Sequence, residues 1–231
     1  MERAKQISES IELGAILALA GGFMDAYSYI GRGGVFANAQ TGNILLVGIN
    51  LSQGDFSQAL RFLFPVLSFA AGIMLSDFIH ERFASIFHWR QVTVFLEAAI
   101  LLLVSFLGAN LNLLGNCLTS FACGMQVESF RKIHGKGIAT TMCIGNLRSA
   151  LQNVDDFIIT HNRGFLENGL LYLGVILCFV CGAVLGNWCI DRLGLHAIAV
   201  ASLLLIVAFA VMFIDREHPE HGPHLPGHSG R

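Results

Sequence analysis

Apolar residues run along this chain in long blocks broken by short polar interruptions, not in the alternating or three-to-four spacing of a soluble domain. Blocks long enough for a helix to cross a bilayer core, ~20 residues, occupy 11–30, 60–79, 92–109, 111–130, 169–190 and 195–214. They predict six transmembrane helices. Two further segments, 35–50 (VFANAQTGNILLVGIN) and 138–152 (IATTMCIGNLRSALQ), are polar in the middle and, at about fifteen residues, too short for a full span.

The two short segments are related. Setting Gly42 on Gly145 without gaps puts Gly21 on Gly124, Ile30 on Ile133, Gly34 on Gly137 and Asn43 on Asn146, five identities in the 24 positions 21–44. Asp25 then falls on Glu128. Further along, AAGIMLSDF (70–78) matches VCGAVLGNW (180–188), with Gly72 opposite Gly182. The chain reads as two copies of one unit. The first repeat covers 1–110 and the second 111–214, each with three spans and one short polar segment; a His/Pro-rich flexible tail fills 215–231.

Charge fixes the relative direction of the copies, because short cytoplasmic loops carry an excess of Lys and Arg. If all eight segments crossed, starting inside, six basic residues would lie inside and seven outside. That is no bias. If 35–50 and 138–152 instead enter and leave on one side, Arg3, Lys5, Arg82, Arg90, Arg131, Lys132, Lys136, Arg163, Arg216 and Arg231 are cytoplasmic, against only Arg32, Arg61 and Arg192 outside. Three crossings per copy is an odd number, so the second copy is inverted. The expected fold is an all-α membrane protein, six transmembrane helices in two inverted three-helix repeats, each with a short re-entrant or broken helix, and both termini cytoplasmic. Arg3 and Lys5 ahead of an apolar stretch also suit a secretory signal; that stretch belongs to the repeated unit, so it is expected to be the first span.

Composition agrees with a membrane protein and removes other classes. Hydrophobic residues make up 54% and charged residues only 13%, about half the charge of a soluble domain. The net charge of −2 leaves no basic surplus for nucleic acid. No Ser-His-Asp set, HExxH, P-loop or GxGxxG is present, so no enzyme activity and no cofactor are expected. Cys178 and Cys181 form a CxxC inside a span, without the second pair a zinc site needs.

Paired short, glycine-interrupted segments in two inverted halves point to a substrate site between the halves of a transporter. Backbone at membrane depth is tolerable only where protein buries it or a watered cavity meets it. Thr41, Gly42 and Asn43 suit such a place, and Gly145 and Asn146, with Thr140 and Thr141 one turn earlier, echo them. An acid near a bilayer centre costs roughly 2.5–3.5 kcal/mol, so Asp25 and Glu128 are expected to face a cavity or a partner. Each has a glycine four residues earlier, and Arg32, Arg131 and Arg148 are the nearby bases. Glu97 is a third buried acid, with the structural reading favoured. In the tail, His218, His221, His224 and His228 are weak candidates for adventitious or regulatory metal binding.

GGFMDAYSYI, FANAQTGNILLVG and SFACGMQVESFRKIHGKGIATTMCIGNL together resemble the YoaK-like family of bacterial integral membrane proteins of unknown function. The resemblance covers about residues 10–214. It implies a bacterial cytoplasmic-membrane location and supplies no substrate. The expected function is a secondary transporter or facilitator of a small solute or ion; the alternatives are an aquaporin-like passive channel, or a non-transporting scaffold or metal sensor. The partners expected are the lipid bilayer and an unknown small solute or ion, and self-association into a homo-oligomer is left open.

Overall fold

The structure, a computed structural model, describes residues 10–83, 89–133 and 136–214. Eight α-helices follow one another in these residues: α1 (Ile11–Ala26), α2 (Gln40–Ser52), α3 (Phe56–Phe83), α4 (Trp89–Val104), α5 (Asn112–Ser129), α6 (Cys143–Thr160), α7 (Arg163–Leu193) and α8 (Ile198–Ile214). A π turn over Tyr27–Gly31 ends α1, and short 3-10 turns lead into α5 and α8. Among the described residues, extended pairing is confined to Lys132–Ile133 against Lys136–Gly137. Apart from that pairing, the regular structure of the described residues is helical.

Among the described residues three helical stretches are long and apolar enough to cross a membrane: Ile11–Gly31, Phe56–Arg82 and the 50-residue run Arg163–Met212, which takes in α7 and most of α8. The blocks expected at 92–109 and 111–130 become shorter helices of 16 and 18 residues, α4 and α5. α5 trades hydrophobicity for function in packing, since it buries Asn116, Thr119, Ser120, Gln126 and Ser129. Outward faces carry Leu67, Met74, Phe78, Leu103, Phe106, Leu177, Val184 and Leu203 exposed. So much open aliphatic surface suits lipid and not water.

Side-chain caps start the helices where their first amides would be orphaned. Ser10 Oγ accepts from the Leu13 amide at 3.1 Å, and Asn162 Oδ1 from the Gly164 amide at 2.9 Å. α8 is apolar at every position but Ser202. That hydroxyl is satisfied by donating to the Ala98 carbonyl of α4 at 2.7 Å.

The helix partners follow one rule. The first helix of each half packs in parallel on the third helix of the other half, α1 on α7 and α5 on α3. Direction follows from the contacts: on α3 and α5, Gly72 meets Phe121 and, further along both helices, Ser76 Oγ lies 2.8 Å from Ser129 Oγ. α1 advances along α7 likewise, from Gly22 at Phe179 to Gly186 at Ala26. α4 and α8 run antiparallel, Gln91 reaching the Met212 carbonyl at 3.2 Å and Ser202 reaching Ala98. Exchanging the two sets of four helices leaves these pairings unchanged.

Each parallel pair closes through the same device. In Phe69–Gly72 against Phe121–Gly124, a Cβ on either glycine would land on the other helix's phenylalanine carbonyl. In Leu19–Gly22 against Phe179–Gly182, Gly22 sits on the Phe179 carbonyl and Gly182 on the Leu19 carbonyl. Only glycine lets backbones approach this closely, and without a hydrophobic drive between helices in lipid, such packing supplies much of the association. Arg32 ties the rest. Wholly buried, it donates to the Tyr27 hydroxyl (2.8 Å), Asn112 Oδ1 (3.2 Å) and the Val104 and Leu107 carbonyls (3.0 and 2.8 Å). A cation at the carbonyl end of α4 complements the helix dipole.

Candidate functional site

Both short segments turn back into the protein before starting a helix. In the first, Gly33 and Gly34 take φ of 86° and 81°, a left-handed pair that β-carbons disfavour. The chain then runs inward through Val35–Ala39, buried at Val35, Ala37 and Asn38, to the start of α2. α2, with 13 residues, reaches about 20 Å, less than a bilayer core.

Asn43 and Asn146 hold these returns shut in the same way. Asn43 Oδ1 accepts from the Phe36 amide at 3.0 Å while its Nδ2 donates to the Phe36 carbonyl at 2.8 Å. Asn146 Oδ1 accepts from the Ala139 amide at 3.3 Å, and its Nδ2 donates to the Ala139 carbonyl at 2.6 Å. Each asparagine clasps the backbone seven residues earlier. An amide side chain offers both a donor and an acceptor, so it can copy a strand partner that the return lacks.

Asp25 stands where the first return meets α1. Its Oδ1 accepts from the Ala37 and Asn38 amides at 2.8 and 2.7 Å, with Ala39 more distant at 3.5 Å. The carboxylate thus serves the amides leading into α2, where the positive helix end favours an anion. Asn38 Nδ2 donates to the Gly21 carbonyl at 3.1 Å. Gln40, first in α2, reaches the Ala37 carbonyl at 2.7 Å and bonds Asn43 through its Oε1 at 2.8 Å.

The start of α6 arrives at the same stretch of α1. A Cβ at Gly21 would come 2.9 Å from Thr141 Cγ2 and 3.5 Å from the Thr140 carbonyl. Gln126 of α5 donates to Thr140 Oγ1 and to the Leu17 carbonyl, both at 3.1 Å. Asn38 and Thr141, which fall on one another when Gly42 is set on Gly145, therefore flank Gly21 from the two short segments. Each carries a buried oxygen without a hydrogen-bond partner among the described residues, Asn38 Oδ1 and Thr141 Oγ1.

Other residues singled out from the sequence lie off this centre. Thr41 is exposed on α2, Gly42 faces the Phe36 ring, and Gly145 is exposed on α6 with open space at its Cβ position. Glu128 forms an ion pair with Arg131 at the end of α5. Its sequence counterpart Asp25 instead accepts from the backbone amides of the return before α2, so the aligned acids do different work. Arg32 serves carbonyls and not acids, and Arg148 is exposed. Among the described residues all six cysteines are free and no cluster of three His, Cys, Asp or Glu groups could hold a metal. His218, His221, His224 and His228, like Arg3 and Lys5, lie outside the described residues.

Sequence reasoning missed the amides. Asn38 and Gln126 had a signal, since Asn38 lies one turn from the repeated Gly34 and Gly42 and Gln126 two residues after the repeated Gly124, and Cys123 lies in the FACG that mirrors FAAG of α3. Glu97 was visible but unplaced. In the structure it is wholly buried, with both oxygens lacking a hydrogen-bond partner among the described residues.

The comparisons with known proteins agree with the helical, membrane-bound reading. No solved structure matches the chain. Over 182 residues, 74% of this chain and 80% of the relative, it is 24% identical to the UPF0700 transmembrane protein YoaK of Bacillus subtilis (strain 168). The family model described as "Protein of unknown function (DUF1275)" matches residues 13–211. With nearly all its described helices inside that match, the chain belongs to the DUF1275 family of membrane proteins.

Proposed function

We propose that this protein is a secondary transporter or facilitator of a small solute or ion, with its site between two inverted repeats. The observation that carries the reading is the meeting of the segments that lead into two short helices, α2 and α6, at one buried stretch of α1, Gly21–Asp25, that ends in a carboxylate. Helix amino ends at mid-depth offer fixed partial charge and free amides to a solute, the arrangement discontinuous transporter helices use. The exchange-symmetric pairing and the antiparallel α4 and α8, which hold corresponding places, support inversion: a two-fold axis in the membrane plane reverses equivalent helices.

In this reading α1, α3, α4, α5, α7 and α8 cross, the repeats divide near 110, and both termini are cytoplasmic in a bacterial inner membrane. α2 returns to the outer face and α6 to the cytoplasmic face. Arg32, one of only three basic residues assigned outside, is consumed by the carbonyl end of α4, which strengthens the charge bias among the loops. Asp25, Asn38, Thr140 and Thr141 line the meeting point; Asn43 and Asn146 shape it without touching solute.

Two cysteines test the path. Ala39, exposed just before α2, is replaced by cysteine, and the native Cys143, first in α6, is retained while the other five are removed. Membrane-impermeant thiol reagents are expected to modify Ala39→Cys from outside and Cys143 from inside. Full protection of both from both sides would make the centre a packing device and overturn the transport reading.

A further inference from the structure

An open cleft of about 430 Å³ lies between the amino ends of α3 and α5. Its volume is that of a small-molecule site, ~300–1,000 Å³. Ser57, Gln58 and Arg61 line it from the first two turns of α3, and Asn110 and Asn112 from the 3-10 turn and first residue of α5. Leu60, Phe64 and Leu113, all exposed, are its apolar part. Ser57, Leu60, Arg61 and Phe64 share one face of α3. Along both helices the lining therefore passes from mostly polar at the helix end to apolar further in.

The polar part is cationic. Arg61, half-buried, donates to the Gly33 carbonyl and, at 3.3 Å, to Gln58 Oε1. A guanidinium has five N–H donors, so these two bonds leave the others without a protein partner among the described residues. Arg61 has no carboxylate partner there either, the ion pair among those residues being Arg131 with Glu128. Asp55, the acid nearest in sequence, is not part of the lining and caps α3, its Oδ1 accepting from the Gln58 amide at 3.0 Å. Asn112 gives its oxygen to Arg32 at 3.2 Å, which leaves its Nδ2 to donate elsewhere. The wholly buried Arg32 thus adds a second positive charge one side chain behind the cleft.

Depth decides the kind of anion. Phe56–Arg82 is long and apolar enough to cross the membrane, and at 1.5 Å per residue its first two turns lie within ~11 Å of one end, at the boundary of headgroups and acyl chains. α5 runs parallel to α3, so both amino ends meet the same leaflet. We propose that this cleft binds an anionic phospholipid, with the phosphate on Arg61 and an acyl chain along Leu60, Phe64 and Leu113. Arginine matches a phosphate's geometry and charge, and basic pockets between membrane helices are a recurrent way to hold acidic headgroups. The cleft shares no residue with the Gly21–Asp25 centre, so the proposal needs the membrane but not the transport reading.

Native mass spectrometry of the full chain, purified in detergent and titrated with phosphatidylglycerol or phosphatidylcholine, tests it. The wild type is expected to retain one phosphatidylglycerol several-fold more strongly than one phosphatidylcholine. Ser57→Glu sets a carboxylate at an exposed position of the lining, where an acid in a helix's first turn is favourable to folding. Arg61→Gln removes the charge and keeps an amide donor for the Gly33 carbonyl. Each variant is expected to lose the preference. Equal retention of the two lipids by the wild type, or a preference kept by either folded variant, would overturn the proposal. Displacement of the phosphatidylglycerol by millimolar inorganic phosphate would make the cleft a free-phosphate site and overturn the lipid assignment.

Discussion

Replacing Asn43 by alanine would strand the amide and carbonyl of Phe36 together with the Gln40 side chain. Asn146→Ala would do the same to Ala139. A buried backbone group left without a partner costs roughly 1–3 kcal/mol, so each variant is expected to lower the thermal unfolding midpoint of the purified protein in detergent. Loss at one position and none at the other would contradict their equivalence. The equivalence itself was legible, because a Gly-Asn pair recurs in matching places. Its purpose was not: a polar side chain in a greasy segment reads as a solute ligand, and only the fold shows that its partner is its own backbone. Glu128 illustrates the same limit, since sequence alignment sees an acid but not the Arg131 one turn on that takes it.

At the scale of the helix, the glycine crossings separate two kinds of glycine that look alike in sequence. Gly22, Gly72, Gly124 and Gly182 each press on a neighbouring carbonyl, while Gly48 and Gly174 have open space where a Cβ would be. Alanine at any of the first four is expected to cost about 1–3 kcal/mol through overpacking. Gly48→Ala and Gly174→Ala should be neutral or slightly stabilising, because alanine favours the helix. A thermal-shift series in one detergent checks this, and equal effects at both sets would refute the crossing geometry. The helices themselves were largely readable, since apolar blocks of span length leave few other choices. Their ends were not. The 35–50 segment resolves into an inward return and a helix starting at Gln40, because Asp25, a side chain from another element, sets where the amides begin.

For the whole molecule, the pairing of α1 with α7 and of α3 with α5 interleaves helices from the first and second halves of the chain. This interleaving was beyond the sequence, because internal similarity shows that two units exist but not how they interlock. The same architecture makes a demand on the membrane. The ends of α2 and α6 follow the two short segments, and the proposed inversion would put them on opposite faces. The most direct measurement is the sidedness of one cysteine just past the end of α2 and one at the last residue of α6, Gln53→Cys and Thr160→Cys, both at exposed positions, in sealed cells and inverted vesicles with an impermeant thiol reagent. Labelling of Gln53→Cys only from outside and of Thr160→Cys only from the cytoplasmic side is the predicted result. Labelling of both from one side would contradict the inverted repeats and, with them, the central site.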